Sequence, residues 1–189
     1  APVQRSIMNL DKETGISIMK IVSKLDAGPV MMKSKINLSK DDNCESVNKK
    51  LSILGANMIV ESLKLIEQNK SKFVEQDENL ASYAQKINKS EAEINWNEKA
   101  KKIIAKINAF YPSPGSWFKH NGSRVKITKA QERRLEGKPG EILKENFTIA
   151  CQENSIEILE LQKEGKKKMK TSEYLKGNKL EIGSNVGKN

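Results

Sequence analysis

Histidine and cysteine are nearly absent: 189 residues hold one histidine, His120, and two cysteines, Cys44 and Cys151. Zinc sites need three or four such ligands at close spacing, so no metal is expected. The two thiols read as small buried hydrophobes, which suits a reducing cytoplasm. Aromatic residues make up only 5% of the chain, which points to small cores. No run approaches the roughly 18 consecutive apolar residues that span a bilayer, so no membrane partner is expected. There is no glycine-rich phosphate loop, which leaves a nucleotide cofactor unsupported, and no basic-then-apolar stretch of signal-peptide type. A cytoplasmic location is the expectation.

What the chain does have is charge. Asp, Glu, Lys and Arg are 31% of residues and the net charge is +10. Residues 1–72 carry 12 basic and 8 acidic side chains, residues 73–116 carry 6 of each, and residues 117–189 carry 16 and 10. A basic C-terminal part suits a polyanion, because each neutralised phosphate releases counterions. A lysine-rich, merely solvated surface explains the same numbers.

Along the chain, Ile16–Val22 and Val30–Ile36 are apolar runs joined by Leu25-Asp26-Ala27-Gly28-Pro29, a strand, a turn and a second strand. Asp26 sits on a loop between rigid elements, where reactive groups are commonly placed. An Asp in a turn also caps its own backbone, and turn chemistry leaves both roles open. Ser39, with Asp42 three residues on, is the expected N-cap of a helix over roughly 41–68. Its core face is expected to be Val47, Leu51, Leu54, Met58, Ile59, Leu63 and Ile66, with Gly55 a weak point or a close-packing point. Phe73-Val74 is strand-like, and the chain is linker-like from Asp77 to about Ile94. A helix capped by Asn97 buries Ala100, Ile103, Ile104, Ile107 and Phe110, and Pro112 and Pro114 end it. Asn121-Gly122 predicts a hairpin, and further short strands near 141–144, 146–151 and 155–161 suggest a small barrel. His120 reads as an inert hairpin-tip residue. Residues 182–189 are expected to fray.

Five segments together resemble one family. Ala1-Pro-Val-Gln-Arg-Ser-Ile7, Asp11-Lys-Glu-Thr-Gly15-Ile-Ser-Ile-Met19 and Leu25-Asp26-Ala27-Gly28 are similar, in order and spacing, to the catalytic domain of the folate-dependent formyltransferases, in their methionyl-tRNA branch. Tyr83-Ala-Gln-Lys-Ile-Asn-Lys-Ser-Glu-Ala-Glu-Ile-Asn-Trp96 resembles that branch's interdomain segment, and Ala109-Phe-Tyr-Pro-Ser-Pro-Gly-Ser-Trp117 the entry to its C-terminal domain. The resemblance implies an α/β plus all-β chain. Residues 1–76 would be the remnant of a Rossmann-like domain, 77–96 a linker, and 97–189 a helix plus a small oligonucleotide-binding-like β-barrel. It implies formyl transfer from 10-formyltetrahydrofolate to initiator methionyl-tRNA by a monomer.

The family's catalytic set is an Asn, a His and an Asp, with Asn-x-His just upstream of the first motif. This sequence has no Asn-x-His, so it is expected to be an inactive C-terminal fragment. Asp26 matches the Asp. Arg5, Thr14, Gly15, Leu25 and Gly28 fall near the substrate or folate pocket, although Arg5 serves equally well to hold its segment on the core. The tRNA candidates are Lys86 and Lys89 in the linker motif, Arg124 and Lys126, and the cluster Lys166, Lys167, Lys168 and Lys170 in a loop before a short helix. Arg133 and Arg134 are weaker ones. Tyr111, Trp117 and Phe118 suit base stacking, but suit core packing better. Two other readings stay open: a folate-dependent transferase or hydrolase with a non-tRNA substrate, and a non-catalytic RNA-binding barrel.

Overall fold

Helix α1 spans Pro2–Asn9. Pro2 lies in its first turn, where a missing N–H costs no hydrogen bond. The helix closes on left-handed Leu10 (φ 62°), whose N–H donates to the Ile7 carbonyl at 3.0 Å. The computed structural model describes residues 1–186. Strands β1 (Glu13–Met19) and β2 (Val30–Asn37) pair antiparallel from Glu13↔Asn37 to Ile18↔Met32, with an irregularity at Met19. The expected hairpin is present, but β1 lies three residues earlier than its apolar run. The Lys20 N–H donates to the Pro29 carbonyl at 2.9 Å and closes the pair. Ile21 and Val22 are left exposed in the loop beyond. Phe73-Val74 contributes one reciprocal bridge, Val74 to Val30, rather than a strand.

Helix α2 spans Cys44–Glu67 and starts later than the Ser39 signal implies. Asn43 is the N-cap: its Oδ1 accepts from the Ser46 N–H and the Ser46 Oγ accepts from the Asn43 N–H, both at 3.0 Å. The Ser39 N–H and hydroxyl instead donate to Asp42 Oδ2 in a turn that precedes the helix. Of the expected face, Val47, Leu51 and Met58 are buried, whereas Ile59, Leu63 and Ile66 are exposed. A two-stranded hairpin covers only a narrow stripe of a 24-residue helix, and the 3.6-residue period rotates the later residues past it. Gly55 is a close-packing point, since a Cβ there would lie 2.7 Å from Ile16 Cδ1.

Short 3₁₀ turns at Glu78–Leu80 and Lys89–Ala92 mark the polar stretch, yet Ala92, Ile94 and Trp96 at its end are buried. Helix α3 covers Ala100–Phe110 with Lys99 at its N-cap. Asn97 lies before it, in a turn in which Asn95 Oδ1 accepts from its N–H at 3.1 Å. Ala109 and Phe110 pack with Ile7, Cys44, Val47 and Leu51, while Ile103 and Ile107 pack into the sheet core. One helix therefore belongs to two cores.

Strands β3 (Trp117–His120), β4 (Ser123–Arg133), β5 (Ile142–Lys144), β6 (Thr148–Ala150), β7 (Ser155–Lys163) and β8 (Met169–Lys170) form one antiparallel sheet. Its order is β3-β4-β7-β6-β5, with β8 on β7. The sheet curls, so that Phe118, Val125, Ile127, Ile142, Ile149, Ile158 and Leu161 share one core. The Asn121-Gly122 turn takes positive φ at both residues (49° and 71°), as a two-residue hairpin requires. A short helix, α4 (Thr171–Leu175), follows β8. Residues 182–186 do not fray: the Ile142 N–H donates to the Ser184 carbonyl, the Val186 N–H donates to the Gly140 carbonyl (both 2.9 Å), and Val186 is buried. The rest of that expectation, 187–189, lies outside the described residues. Cys44 and Cys151 are buried free thiols, and burial pushes Cys151 up to about 12. Among the described residues no helix is long and apolar enough to cross a membrane.

Asp42 anchors the entry to α2. Burial pushes its carboxyl up, but Lys50 Nζ at 2.6 Å and the donors of Ser39 and Ser46 outweigh this and hold it at about 2 against an ordinary 3.8. The carboxylate is therefore stabilising above its unfolded value, and that contribution is lost as the pH falls from about 4 towards 2. Urea unfolding across this range should show Asp42→Asn removing about 2 kcal/mol of acid-dependent stability.

Candidate functional site

The loop from Lys20 to Pro29 is held from a distance. Gln76 Nε2 donates to the carbonyls of Asp26 and Gly28, each at 2.8 Å. Asp26 takes a left-handed φ of 54°, which Asp tolerates better than most side chains. Its residue is exposed, and among the described residues its carboxylate accepts no hydrogen bond and forms no ion pair. A turn-capping role would need such a bond to nearby backbone. The loop thus holds the backbone of Asp26 and leaves its carboxylate facing water. Leu25 beside it is 88% exposed and Ile21 is 92% exposed. Gly28 is buried, and a Cβ there would lie 1.7 Å from the Lys20 carbonyl oxygen. Sequence reasoning missed Gln76, because its contact spans fifty residues and no local pattern marks it.

The other pocket candidates do not gather around Asp26. Thr14 and Gly15 pair with Ile36 and Lys35 at the opposite end of the hairpin, roughly 13 to 17 Å along the strand from Met19 at about 3.3 Å per residue. Gly15 lies against the Ser34 carbonyl, 2.4 Å from where a Cβ would be. Arg5 is fully engaged elsewhere. Its Nη1 and Nη2 reach Glu91 Oε2 and Oε1 at 2.7 and 3.0 Å, and its Nε and Nη2 donate to the carbonyls of Gln85 and Lys86 at 3.1 Å. Of the two roles weighed for Arg5, the geometry is that of a fastener. Glu91, which local pattern did not single out, is its partner. Two cavities of about 660 and 350 Å³ occur elsewhere, one between α1, α3 and β4 and one beside Trp96 and Phe118, and neither includes Asp26.

The basic candidates share the outer surface of the sheet and the linker. Phe118, Val125, Ile127 and Leu161 point inward, so the alternate residues Trp117, Arg124, Lys126 and Gln162 point outward. The Arg124 guanidinium lies 4.0 Å over the Trp117 ring, and Trp117 is half-buried. Phe118 is buried, so only Trp117 and half-buried Tyr111 remain near the surface. Lys126 lies along Gly115 in the loop after α3, and Lys168 sits 5.9 Å over Tyr111 while pairing with Glu160 at 3.0 Å. Lys166, Lys167 and Lys170 are exposed, in a turn and in β8 rather than in one loop. Lys86 and Lys89 are exposed too. Arg133 is tied to Glu157 at 2.6 Å, while Arg134 is exposed.

His120 is not a solvated tip residue. It is 5% exposed and packs with Phe118, Phe147 and Tyr174, with Nδ1 2.8 Å from the Tyr174 hydroxyl. The hairpin signal placed its backbone, but strand alternation turns its ring inward beside Phe118. Burial, and then the charge of Lys163, lower its pKa.

The chain has two parts, a hairpin with its helices and a curled basic sheet. A family model described as "Formyl transferase" matches residues 1–63, and "Formyl transferase, C-terminal domain" matches residues 86–179. The chain belongs to the formyl transferase family. It is 47% identical over 187 residues to the methionyl-tRNA formyltransferase of Pelagibacter ubique, which covers 98% of this chain and 60% of that protein. It is 41% identical to that of Dictyoglomus thermophilum, covering 97% and 61%. The chain thus spans about 60% of the length of these relatives. Among solved structures it resembles HypX from Aquifex aeolicus in complex with tetrahydrofolic acid (TM-score 0.72, 21% identity, 95% of this chain and 33% of that one). It also resembles methionyl-tRNA formyltransferase from Clostridium thermocellum (TM-score 0.57, 22% identity, 70% and 57%).

Two tests follow from the local geometry. Gly28→Ala drives a methyl group into the Lys20 carbonyl and should break both Gln76 bonds. A loss of about 1–3 kcal/mol by urea unfolding is expected, with faster amide exchange confined to residues 20–30. For His120, the unfolded ring protonates near 6.5 while the buried ring resists, so stability is full above that value and declines as the pH falls below it. Unfolding curves from pH 7.5 to 5 should show this decline, and His120→Gln should flatten it.

Proposed function

We propose that this chain supplies the proton-handling carboxylate and the RNA-binding surface of an enzyme that moves a formyl group from 10-formyltetrahydrofolate to the amino group of methionyl initiator tRNA. The observation that carries this reading is the 47% identity to a methionyl-tRNA formyltransferase, which runs through the hairpin, the linker and the sheet alike. In this reading residues 1–76 belong to the catalytic part, 77–96 to the linker and 97–189 to an oligonucleotide-binding-like barrel. The shared core of six curled strands supports the barrel.

Formyl transfer is acyl transfer to an amine. The amine nitrogen bonds to the formyl carbon, the bond from that carbon to the folate nitrogen breaks, the ammonium gives up a proton and the folate nitrogen gains one. The folate, when bound, supplies the activated formyl group. In this reading Ile21, Val22 and Leu25 around Asp26 offer it exposed apolar contact. In this reading Asp26, whose exposed side chain leaves the carboxylate open, charges and orients an imidazole and takes part in proton transfer. A carboxylate beside an imidazole favours the imidazolium, which steadies a developing oxyanion. His120 cannot be that imidazole, since it is buried against Tyr174 in the sheet core. No Asn-x-His motif, which the resemblance implies for the catalytic Asn and His, occurs in this sequence. Lys86, Lys89, Arg124, Lys126, Lys166, Lys167, Lys168 and Lys170 face solvent wholly or in part. In this reading they position the tRNA backbone rather than read bases.

The test joins this chain to the remainder of the Pelagibacter ubique relative and measures formylation. Asp26→Asn should lower kcat at least about a hundredfold, and near-full activity would remove Asp26 from the mechanism. Binding of initiator tRNA to the chain itself should weaken as salt rises. Replacing Lys126 and Lys168 by Ala should reduce the slope of log affinity on log salt by about 1 to 2. Absence of binding at low salt would favour a different acceptor.

A further inference from the structure

We propose that Arg5 and Glu91 form a positioning device that presents Lys86 and Lys89 to RNA phosphates. The inference rests on the tRNA reading above and deepens it. Residues 81–88 belong to no helix or strand and Lys89 opens only a single 3₁₀ turn, so little in the segment's own backbone pairing fixes where Lys86 and Lys89 point. Arg5 supplies that constraint from α1. Its guanidinium grips the carboxylate of Glu91 in a two-pronged pair and also takes the carbonyls of Gln85 and Lys86. Glu91 Oε1 in turn accepts from the Asn88 N–H at 2.8 Å and sets the start of the Lys89–Ala92 turn. One side chain thereby fixes the backbone on both sides of Lys86 and, through Glu91, the turn that bears Lys89.

The remaining links set this segment in the same frame as the sheet. Ile87 packs on the core shared by α1, α2 and α3, Ala92 is buried in it, and the Ile94 N–H donates to the Trp117 carbonyl at 2.8 Å. Trp117 carries the stacked Arg124. Lys86 and Lys89 are exposed and, among the described residues, have no ion-pair partner, whereas Lys24, Lys99, Lys106 and Lys168 each have one. Two uncompensated cations on a pre-ordered backbone bind a polyanion without first paying to be ordered. The donors of Arg5 are all directed to protein acceptors, the fifth to Met8 Sδ at 3.8 Å, so Arg5 itself is not a phosphate ligand.

The experiment titrates the chain with uncharged initiator tRNA at several monovalent salt concentrations, alongside thermal unfolding. Replacing Lys86 and Lys89 together by Ala should weaken binding about tenfold near 0.1 M salt and flatten the salt slope by about 1.5 to 2. Arg5→Lys, which keeps the charge but loses the fork, and Arg5→Gln should each reproduce most of that loss. The triple variant should be no weaker than the lysine pair alone. If Arg5→Gln does not fold, Glu91→Gln carries the same comparison. Full slope retained in a folded Arg5 variant, or losses that multiply in the triple variant, overturns the positioning role and leaves the tRNA reading standing. No binding by the unmodified chain removes both.

Discussion

Helix α3 buries residues in two cores at once, and the rest of the structure follows from that constraint. Ile103 and Ile107 close the sheet core, while Ala109 and Phe110, in the last turn of the helix, close the core under α1 and α2. Four side chains with essentially no exposure tie the two parts to one rigid rod about 16 Å long at 1.5 Å per residue. Turning one part against the other would uncover at least one of them, at about 1.5–3 kcal/mol for each large apolar side chain. The pair behaves as one unit for that reason.

That rigidity gives the surface features a common frame. The Arg5 fork fastens the otherwise irregular segment 85–91 to α1, and the Ile94–Trp117 hydrogen bond fastens its far end to β3. The cations on the linker and on the outer sheet face are therefore held at fixed relative positions. The loop bearing Asp26 is treated likewise, with Gln76 clasping two of its carbonyls and its carboxylate left in water. Backbone is fixed and the charged tips stay open, the arrangement that binding and proton transfer both favour. The outer stripe of α2, with Ile53, Val60 and Leu63 exposed, is a second apolar surface that this frame leaves bare, besides Ile21 and Leu25 in the Asp26 loop.

Signals that act over a few residues were legible. Asn121-Gly122 between apolar runs is a hairpin, Pro112 and Pro114 end α3, and the Val47–Leu51–Met58 spacing is a helix. Competing local signals misled by a few residues: Ser39 and Asp42 look like a capping box, yet Asn43 and Ser46 form one and leave Asp42 to bind Lys50. Contacts over long sequence separation were invisible. Nothing near Gln76 shows that it holds residue 26, nothing near Glu91 shows Arg5, and the inward turn of His120 depends on which face of β3 meets the core.

The amino-acid order alone determined the kinds of elements, their approximate places, the charge imbalance and, through five motifs in series, the family. Those properties depend on local propensity and on residue identity, which the order carries directly. The tertiary structure decided which residues the elements bring together. Thr14 and Gly15 lie at the wrong end of the hairpin from Asp26, Arg5 fastens a linker, and a lone histidine sits in an aromatic core. The first follows from hairpin register with partners about twenty residues away, and the other two from partners fifty or more residues away, which no local pattern encodes.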